Sequence, residues 1–513
     1  MSGIRVTYSG LFTLVFSLLG IITGLVFLII VTRSLSPEDY GTWGVINSLF
    51  VYSLVINSIV TFWSPREVAR GNDTIKTALS FGWSLSVVGI IIYIISVYFV
   101  SLESDLDQTV MFFAVLLIPF TFLHKQISAI NMGWKPEIIS YALMATEIIK
   151  IPLALTFLYF LEMGIEGIIV TLIITTSIGS IIQLVQARKK ITQFIKKEFV
   201  KKWIKTVWIS LWPRSINVLF VTDIVVFFAI TKSAEGVAFF SAAFVIANLV
   251  SYAGGITIGS YGKLLGGGKR SFIKENLTHL FYFAIPLAAI SITFSKPGLF
   301  ALNPVYEIAF PVVIFLSIRM IFELMTRTFH QYLTGIEDVD AKLTSSTKEY
   351  LKSKLFVLPN LQIIQNVIYI GILAIVLFLQ ADKLEKIDLV IHWAIIALIT
   401  QIPLALYLGY LVKKNFTKYP RYRARYLVKK NFTIKIEWIR LCKYLVVSIG
   451  IFSLCYVLHE EYLVYNTEVI KFVPNLLLFI AIGVIGYLGI TYAIDAKIKE
   501  LFNLIYSEIK NKS

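Results

Sequence analysis

Apolar runs of spanning length recur along the whole chain, separated by short polar segments. They predict helices at roughly 10–32, 42–63, 77–101, 109–132, 136–160, 165–187, 206–230, 237–264, 273–295, 305–333, 355–379, 388–412, 438–459 and 473–496. A helix needs about 20 apolar residues to cross the hydrocarbon core, and each of these runs is long enough. The first, Gly10 to Val31, is of full length and lacks a small-residue cleavage site, so it reads as a span of the mature protein rather than a signal peptide. The pattern therefore predicts an all-α, polytopic integral membrane protein with about fourteen transmembrane helices.

The polar segments test this count independently. Lys and Arg concentrate in cytoplasmic loops, and alternate loops here are basic. One set holds Arg66, Arg70 and Lys76; Arg188 through Lys205; Lys263, Lys269, Arg270 and Lys274; Lys342 through Lys354; and Lys413 through Lys435. The other set is short and largely acidic, with Glu103, Asp105 and Asp107, then Glu162 and Glu166, then Glu460, Glu461 and Glu468. The alternation holds only for an even number of helices, with both termini cytoplasmic.

Composition agrees. Of 513 residues, 57% are hydrophobic and 15% charged, against about a quarter charged in an ordinary soluble domain. The formal net charge of +16 would raise nucleic-acid binding in a soluble protein. With the basic residues sitting between apolar runs, it points to topology and attraction to anionic headgroups instead. Cys442 and Cys455 lie 13 residues apart on one predicted helix, too far apart to bridge.

Two long basic segments divide the chain. The expected organisation is an N-lobe of helices 1–6 (1–188), a basic amphipathic cytoplasmic linker (189–205) and a C-lobe of helices 7–12 (206–412). A second basic cytoplasmic linker (413–437) and helices 13–14 with a cytoplasmic tail (438–513) complete it. In the first linker Ile191, Phe194, Ile195 and Phe199 recur at helical spacing among lysines, as in a helix lying in the membrane interface. The second contains Tyr-Leu-Val-Lys-Lys-Asn-Phe-Thr twice, at 410–417 and 426–433, a local duplication. A longer repeat relates the two six-helix blocks. Thr32-Arg33 and Ser36-Pro37-Glu38-Asp39-Tyr40-Gly41 after helix 1 correspond to Thr231-Lys232 and Ser233-Ala234-Glu235-Gly236 after helix 7. Two lobes of like orientation are a transporter plan, with the substrate site between them near the midplane.

Ionisable groups inside spans are costly and normally face a cavity or a partner. The candidates are Arg319 and Glu323, with Arg327, on one face of helix 10; Glu147 and Lys150 in helix 5; Arg214 and Asp223 in helix 7; and Lys125, beside His124, in helix 4. Arg319, Lys150, Arg214 and Lys125 together suit an anionic head group, since Arg and Lys donate to phosphate oxygens. The alternative for Glu147–Lys150 and for Arg319–Glu323–Arg327 is a set of neutralised pairs that tie helices together. Asp223 and Glu147 are alternatively ligands for a coupling Na⁺ or H⁺. The chain has no phosphate-binding loop at Gly266–Ser271, because Arg270 follows Lys269 where Ser or Thr is required. No catalytic or metal-ligand cluster appears on the outer loops, and no cofactor is expected.

Several short motifs resemble the polysaccharide-exporter and lipid-linked oligosaccharide flippase branch of the MOP superfamily, relatives of the MATE drug exporters. They are Leu35-Ser36-Pro37-Glu38-Asp39-Tyr40-Gly41, Pro65-Arg66-Glu67-Val68-Ala69-Arg70-Gly71, Trp212-Pro213, Val221-Thr222-Asp223 and Leu302-Asn303-Pro304-Val305-Tyr306. The resemblance implies the MATE-like two-lobed fold, alternating access and translocation of a polyprenyl-linked oligosaccharide across the plasma membrane of a bacterium or archaeon. It implies as partners the lipid-linked oligosaccharide, membrane lipids and other glycan-assembly membrane proteins; a membrane glycosyltransferase or polymerase is not expected, because the outer loops are short and hold no His/Asp/Glu cluster with ligand spacing. A MATE-like cation-coupled exporter of small molecules is the competing expectation, and it would favour acidic over basic groups in the spans.

Overall fold

The computed structural model describes residues 23–102, 106–135, 137–188, 191, 194–257, 272–337, 339, 347–418, 438–500 and 503. All regular structure among them is helical. Thirteen helices are long and apolar enough to cross a membrane, and a shorter apolar helix, Thr23–Ser34, precedes them. We number these α1 (Thr23–Ser34), α2 (Pro37–Ala69), α3 (Ile75–Ser101), α4 (Gln108–Trp134), α5 (Ile138–Phe160), α6 (Gly164–Ala187) and α7 (Val207–Thr231). They continue as α8 (Ala234–Gly254), α9 (Asn276–Thr293), α10 (Pro304–Thr334), α11 (Lys354–Gln380), α12 (Lys386–Asn415), α13 (Ile439–Tyr462) and α14 (Val469–Ile494). The chain is a multi-pass membrane protein of about fourteen helices.

The helix starts follow from local chemistry. Ser36 caps α2, its hydroxyl accepting from the Asp39 amide at 3.1 Å while Pro37 occupies the first turn. Ser233 caps α8 in the same register, accepting from the Gly236 amide at 3.0 Å. The two turns related by the sequence repeat are thus built by one device, a serine satisfying an orphan N–H of the first turn. Asp107 and Asn303 cap the starts of α4 and α10 likewise, accepting from Thr109 and Val305. Prolines inside α2, α5, α9, α11, α12 and α14 do not end these helices. The break in hydrogen bonding is absorbed locally: Pro152 is followed by a π-helical stretch, Leu155–Phe160, the widened turn a mid-helix proline favours. The helix expected at 237–264 is α-helical only to Ala247 and continues as a 3₁₀ stretch, Asn248–Thr257; residues 258–271, including the Gly-rich segment, lie outside the described residues.

The chain forms two compact units that do not follow chain order. The first comprises residues 1–239 and 366–389, the second 240–365 and 390–513. α7, expected at the head of the second six-helix block, packs in the first unit against α2. The Tyr52 hydroxyl donates to Thr222 Oγ1 at 2.9 Å, and Ser58 donates to the Ser210 carbonyl at 3.3 Å. The repeat-related turns also meet inside this unit. A Cβ placed on Gly41 would lie 1.8 Å from the Ala234 carbonyl oxygen, so only glycine permits the approach of the α2 and α8 N-termini.

The first linker is helical at Lys197–Lys205, and this linker helix belongs to the first unit. Its Trp203 is fully buried among Ile59, Val60, Ile75, Ala78, Ile127, Ile130 and Ala187. Lys202 pairs with Glu67 at 2.7 Å, and the Lys196 amide donates to Thr77 at 2.9 Å. The second linker begins as helix, because the helix containing α12 runs on through Lys418 and takes in the first copy of the duplicated octapeptide. The second copy lies outside the described residues.

In the second unit α13 and α14 dock on α9. Tyr282, Tyr444, Phe452, Phe472 and Tyr487 form a core there. The Tyr487 hydroxyl donates to the Tyr282 carbonyl at 2.9 Å, and Tyr282 shares a 3.0 Å hydrogen bond with Thr491. Just beyond α14, Asp495 accepts from Tyr444 at 2.8 Å and faces Arg440 at 3.4 Å. Burial alone would raise its pKa, but the Tyr444 hydroxyl, the Lys497 amide and the Arg440 guanidinium outweigh it and hold the carboxyl below its ordinary value. Cys442 and Cys455 are both free, as their spacing requires.

Candidate functional site

Five of the seven sequence candidates fall in the first unit. On α5, Glu147 and Lys150 form an ion pair of 2.6 Å one turn apart. Thr23 of α1 donates to Glu147 at 2.7 Å, and the Lys150 ammonium sits 5.1 Å from the Phe27 ring. The pair is thus satisfied internally and joins α5 to α1; it is a neutral unit within the spans. Asp223 on α7 is 3% exposed. One of its oxygens accepts from the Tyr369 hydroxyl at 2.7 Å, the other from the Ile224 amide at 2.8 Å. Tyr369 belongs to α11, 146 residues away in sequence, so this bond ties α7 to α11.

Lys125 and Arg214 behave differently. They stand on α4 and α7, are exposed rather than packed, and lie close enough for their charges to act on one another. Among the described residues neither makes an ion pair. Lys125 is nine residues before the end of α4 at Trp134, and Arg214 seven after the start of α7 at Val207. At 1.5 Å per residue both sit roughly 10–13 Å inside their spans. Next to Lys125, His124 contacts Ser180 of α6 at 3.4 Å. Two like charges at one level of an apolar region repel each other and are costly; an anion placed against both removes the cost.

The remaining two candidates lie in the second unit, on α10. Arg319 is 3% and Glu323 9% exposed, and Arg319 is held by contacts of its own. Glu323 pairs with Arg327 one turn on through one carboxylate oxygen, while the other is buried with no hydrogen-bond partner among the described residues. α10 is thus polar along one face, with Thr326 accepting from Gln401 of α12 at 3.1 Å beside it.

Two contacts of the candidate residues escaped the sequence: Tyr369 on Asp223 and Thr23 on Glu147. Both join residues more than 120 positions apart. Their only signal is a hydroxyl within an apolar span, where it needs a partner.

The solved structures that this one resembles share its architecture. It superposes on the lipid II flippase MurJ in an inward closed conformation with a TM-score of 0.61, at 13% identity over 94% of this chain and 98% of that one. It superposes on an inward-facing multidrug resistance MATE family transporter of the MOP superfamily with a TM-score of 0.56, at 15% identity over 77% of this chain and 95% of that one. A MATE in complex with MaD3S gives 0.53 at 15% identity over 79% and 95%. No family model and no curated protein matches the sequence. At these identities the likeness is one of fold: the chain has the multi-helix membrane fold shared by MATE and MurJ.

Proposed function

We propose that the protein is a flippase that carries a polyprenyl-(pyro)phosphate-linked oligosaccharide across the plasma membrane by alternating access. The observation that carries this reading is the approach of Lys125 and Arg214 inside the spans of the first unit, with no carboxylate paired to either among the described residues. A (pyro)phosphate sheds water to cross the membrane, and a guanidinium with an ammonium replaces that water with charge-assisted donors. Glu147, Lys150, Asp223 and Glu323 sit in internal hydrogen bonds or ion pairs, and Asp223 with Tyr369 steadies α7, which bears Arg214. The basic loops support a cytoplasmic location of both termini; in that orientation Lys125 and Arg214 stand in the cytoplasmic half of the spans, where a substrate assembled inside is loaded. Thus the protein acts as a carrier, with no bond made or broken, and a Na⁺ or H⁺ gradient is a fitting drive. Extension of the MurJ fold match over 94% of the chain, against 77% for MATE, also supports this reading over the drug-exporter one.

The test is reconstitution. A fluorescent polyprenyl-pyrophosphate sugar in liposomes becomes accessible to an impermeant quencher when it is flipped. Replacing Lys125 and Arg214 together by Gln should slow flipping at least tenfold, while Lys386→Gln, a surface pair with Glu235, should not. Wild-type rates in the double variant would overturn the cationic site. Proton-dependent efflux of organic cations in place of flipping would instead support the MATE-like exporter, the second reading that the shared fold permits.

A further inference from the structure

The linker helix Lys197–Lys205 has a role that transport leaves unaccounted for. It is fixed on one side. Trp203 is fully buried in the first unit, Lys202 is bound to Glu67, and the Lys196 amide to Thr77. The cluster that buries Trp203 takes in the last two turns of α4, the last residue of α6 and the first turn of α3, and Lys202 is bound to Glu67, two residues before the end of α2. The helix is therefore held at the level where four spans end, which is the membrane interface.

Its other side has no partner among the described residues and has a definite chemistry. Lys197, Lys201 and Lys205 recur every fourth residue and are all exposed, so they form one stripe. Trp203, two residues from Lys201, points roughly opposite that stripe. Beside the stripe stand Phe194, 89% exposed, Ile195, 50%, and Ile204, 53%. Glu198 is the only acidic residue between Phe194 and Lys205. Large apolar side chains set among lysines at the end of a membrane span match an anionic leaflet: the rings and branches enter the acyl boundary and the ammonium groups meet phosphates.

We propose that this face is a binding site for anionic phospholipid headgroups, which fastens the first unit to the negatively charged leaflet through Lys197, Lys201 and Lys205 and inserts Phe194 and Ile195. The docked face, through Trp203 and the Lys202–Glu67 pair, ties the captured lipid to the ends of α2, α3, α4 and α6.

The full-length protein tests this directly. With Cys442→Ser in place, Phe194→Cys carries an environment-sensitive dye, and the protein is placed in nanodiscs of phosphatidylcholine with a small fraction of spin-labelled lipid. Spin-labelled phosphatidylglycerol should quench the dye several-fold more than spin-labelled phosphatidylcholine, and 1 M salt should reduce the difference, since screening then acts within about 3 Å. Each lysine near an anionic surface is worth about fivefold in preference, so Lys197→Ser/Lys201→Ser/Lys205→Ser should abolish it. An unchanged unfolding midpoint in that variant confirms that Trp203 stays docked; if the midpoint falls, the single Lys201→Ser variant, opposite the buried face, must show the roughly fivefold loss by itself. Equal quenching by the two lipids, or a dye that reads as fully aqueous and is quenched by neither, would overturn the proposal.

Discussion

Gly41 gives a sharp test of how the repeat-related turns meet. Replacing it with Ala puts a Cβ 1.8 Å from the Ala234 carbonyl oxygen, 2.5 Å from its carbonyl carbon and 3.1 Å from its Cα. A carbon and a carbonyl oxygen approach no closer than about 3.3 Å without strain, so the first turn of α8 must retreat by roughly 1.5 Å. The obstacle is backbone, not the tip of a flexible side chain, and overpacking of this kind costs about 1–3 kcal/mol. Against this, Gly→Ala in a helix stabilises by about 0.5–1 kcal/mol. The overpacking cost exceeds that gain, and the net effect is a loss of roughly 1–2 kcal/mol. Gly371 in α11 is the control, because nothing lies within 4 Å of a Cβ there. Unfolding midpoints of the purified protein in detergent should fall for Gly41→Ala and hold or rise for Gly371→Ala. If both variants were equally stabilised, the close approach of α2 and α8 would not exist in the folded protein.

Other expectations follow from the polar contacts. Glu147→Gln leaves Lys150 without its partner in the spans and should cost about 3 kcal/mol, whereas Glu147→Leu with Lys150→Leu should be nearly neutral; reversible unfolding in mixed detergent distinguishes the two. Tyr369→Phe removes a donor from buried Asp223 and should destabilise by about 1–3 kcal/mol, with Tyr369→Phe/Asp223→Asn losing little more than Tyr369→Phe alone in a double-mutant cycle. The carboxyl of Asp495 is held below its unfolded value, so its contribution is present above about pH 4 and lost as pH falls through the folded value. The unfolding midpoint should therefore drop on acidification below that range, and Asp495→Asn should flatten that limb while lowering the plateau.

The spans were legible because apolar runs and loop charge are both written locally: thirteen of the predicted helices have a described counterpart of spanning length, and α1 is described over its second half. The caps are local as well, with Ser36 and Ser233 three residues before the amides they accept from. Partnership between helices is not. The sequence left Lys150 open between a cavity cation and half of a neutralised pair with Glu147, and the hydroxyl of Thr23, 124 positions before Glu147, was not foreseeable. The charge of Lys125 acts instead on that of Arg214 on α7, a coupling that no spacing rule on one helix reveals. Membership of the compact units was hidden likewise: chain order assigns α7 to the second block, whereas packing against α2 assigns it to the first. Hydrophobic patterning specifies that a face is buried, not against which neighbour.

The contrast between the two kinds of lysine has an electrical consequence. Glu147 with Lys150 moves no net charge however α5 shifts, but Lys125 with Arg214 brings two positive charges that no described carboxylate offsets. In the proposed cycle a pyrophosphate dianion neutralises them, so the loaded carrier crosses without electrical work. Only the empty carrier feels the field, at up to roughly 4.6 kcal/mol per 100 mV if both charges traverse all of it. An inside-negative potential pulls the unloaded site back toward the cytoplasm, where the next substrate waits. The voltage would then set the rate of return and leave delivery untouched, and presteady-state currents that appear without substrate and vanish on its addition are the signature to look for.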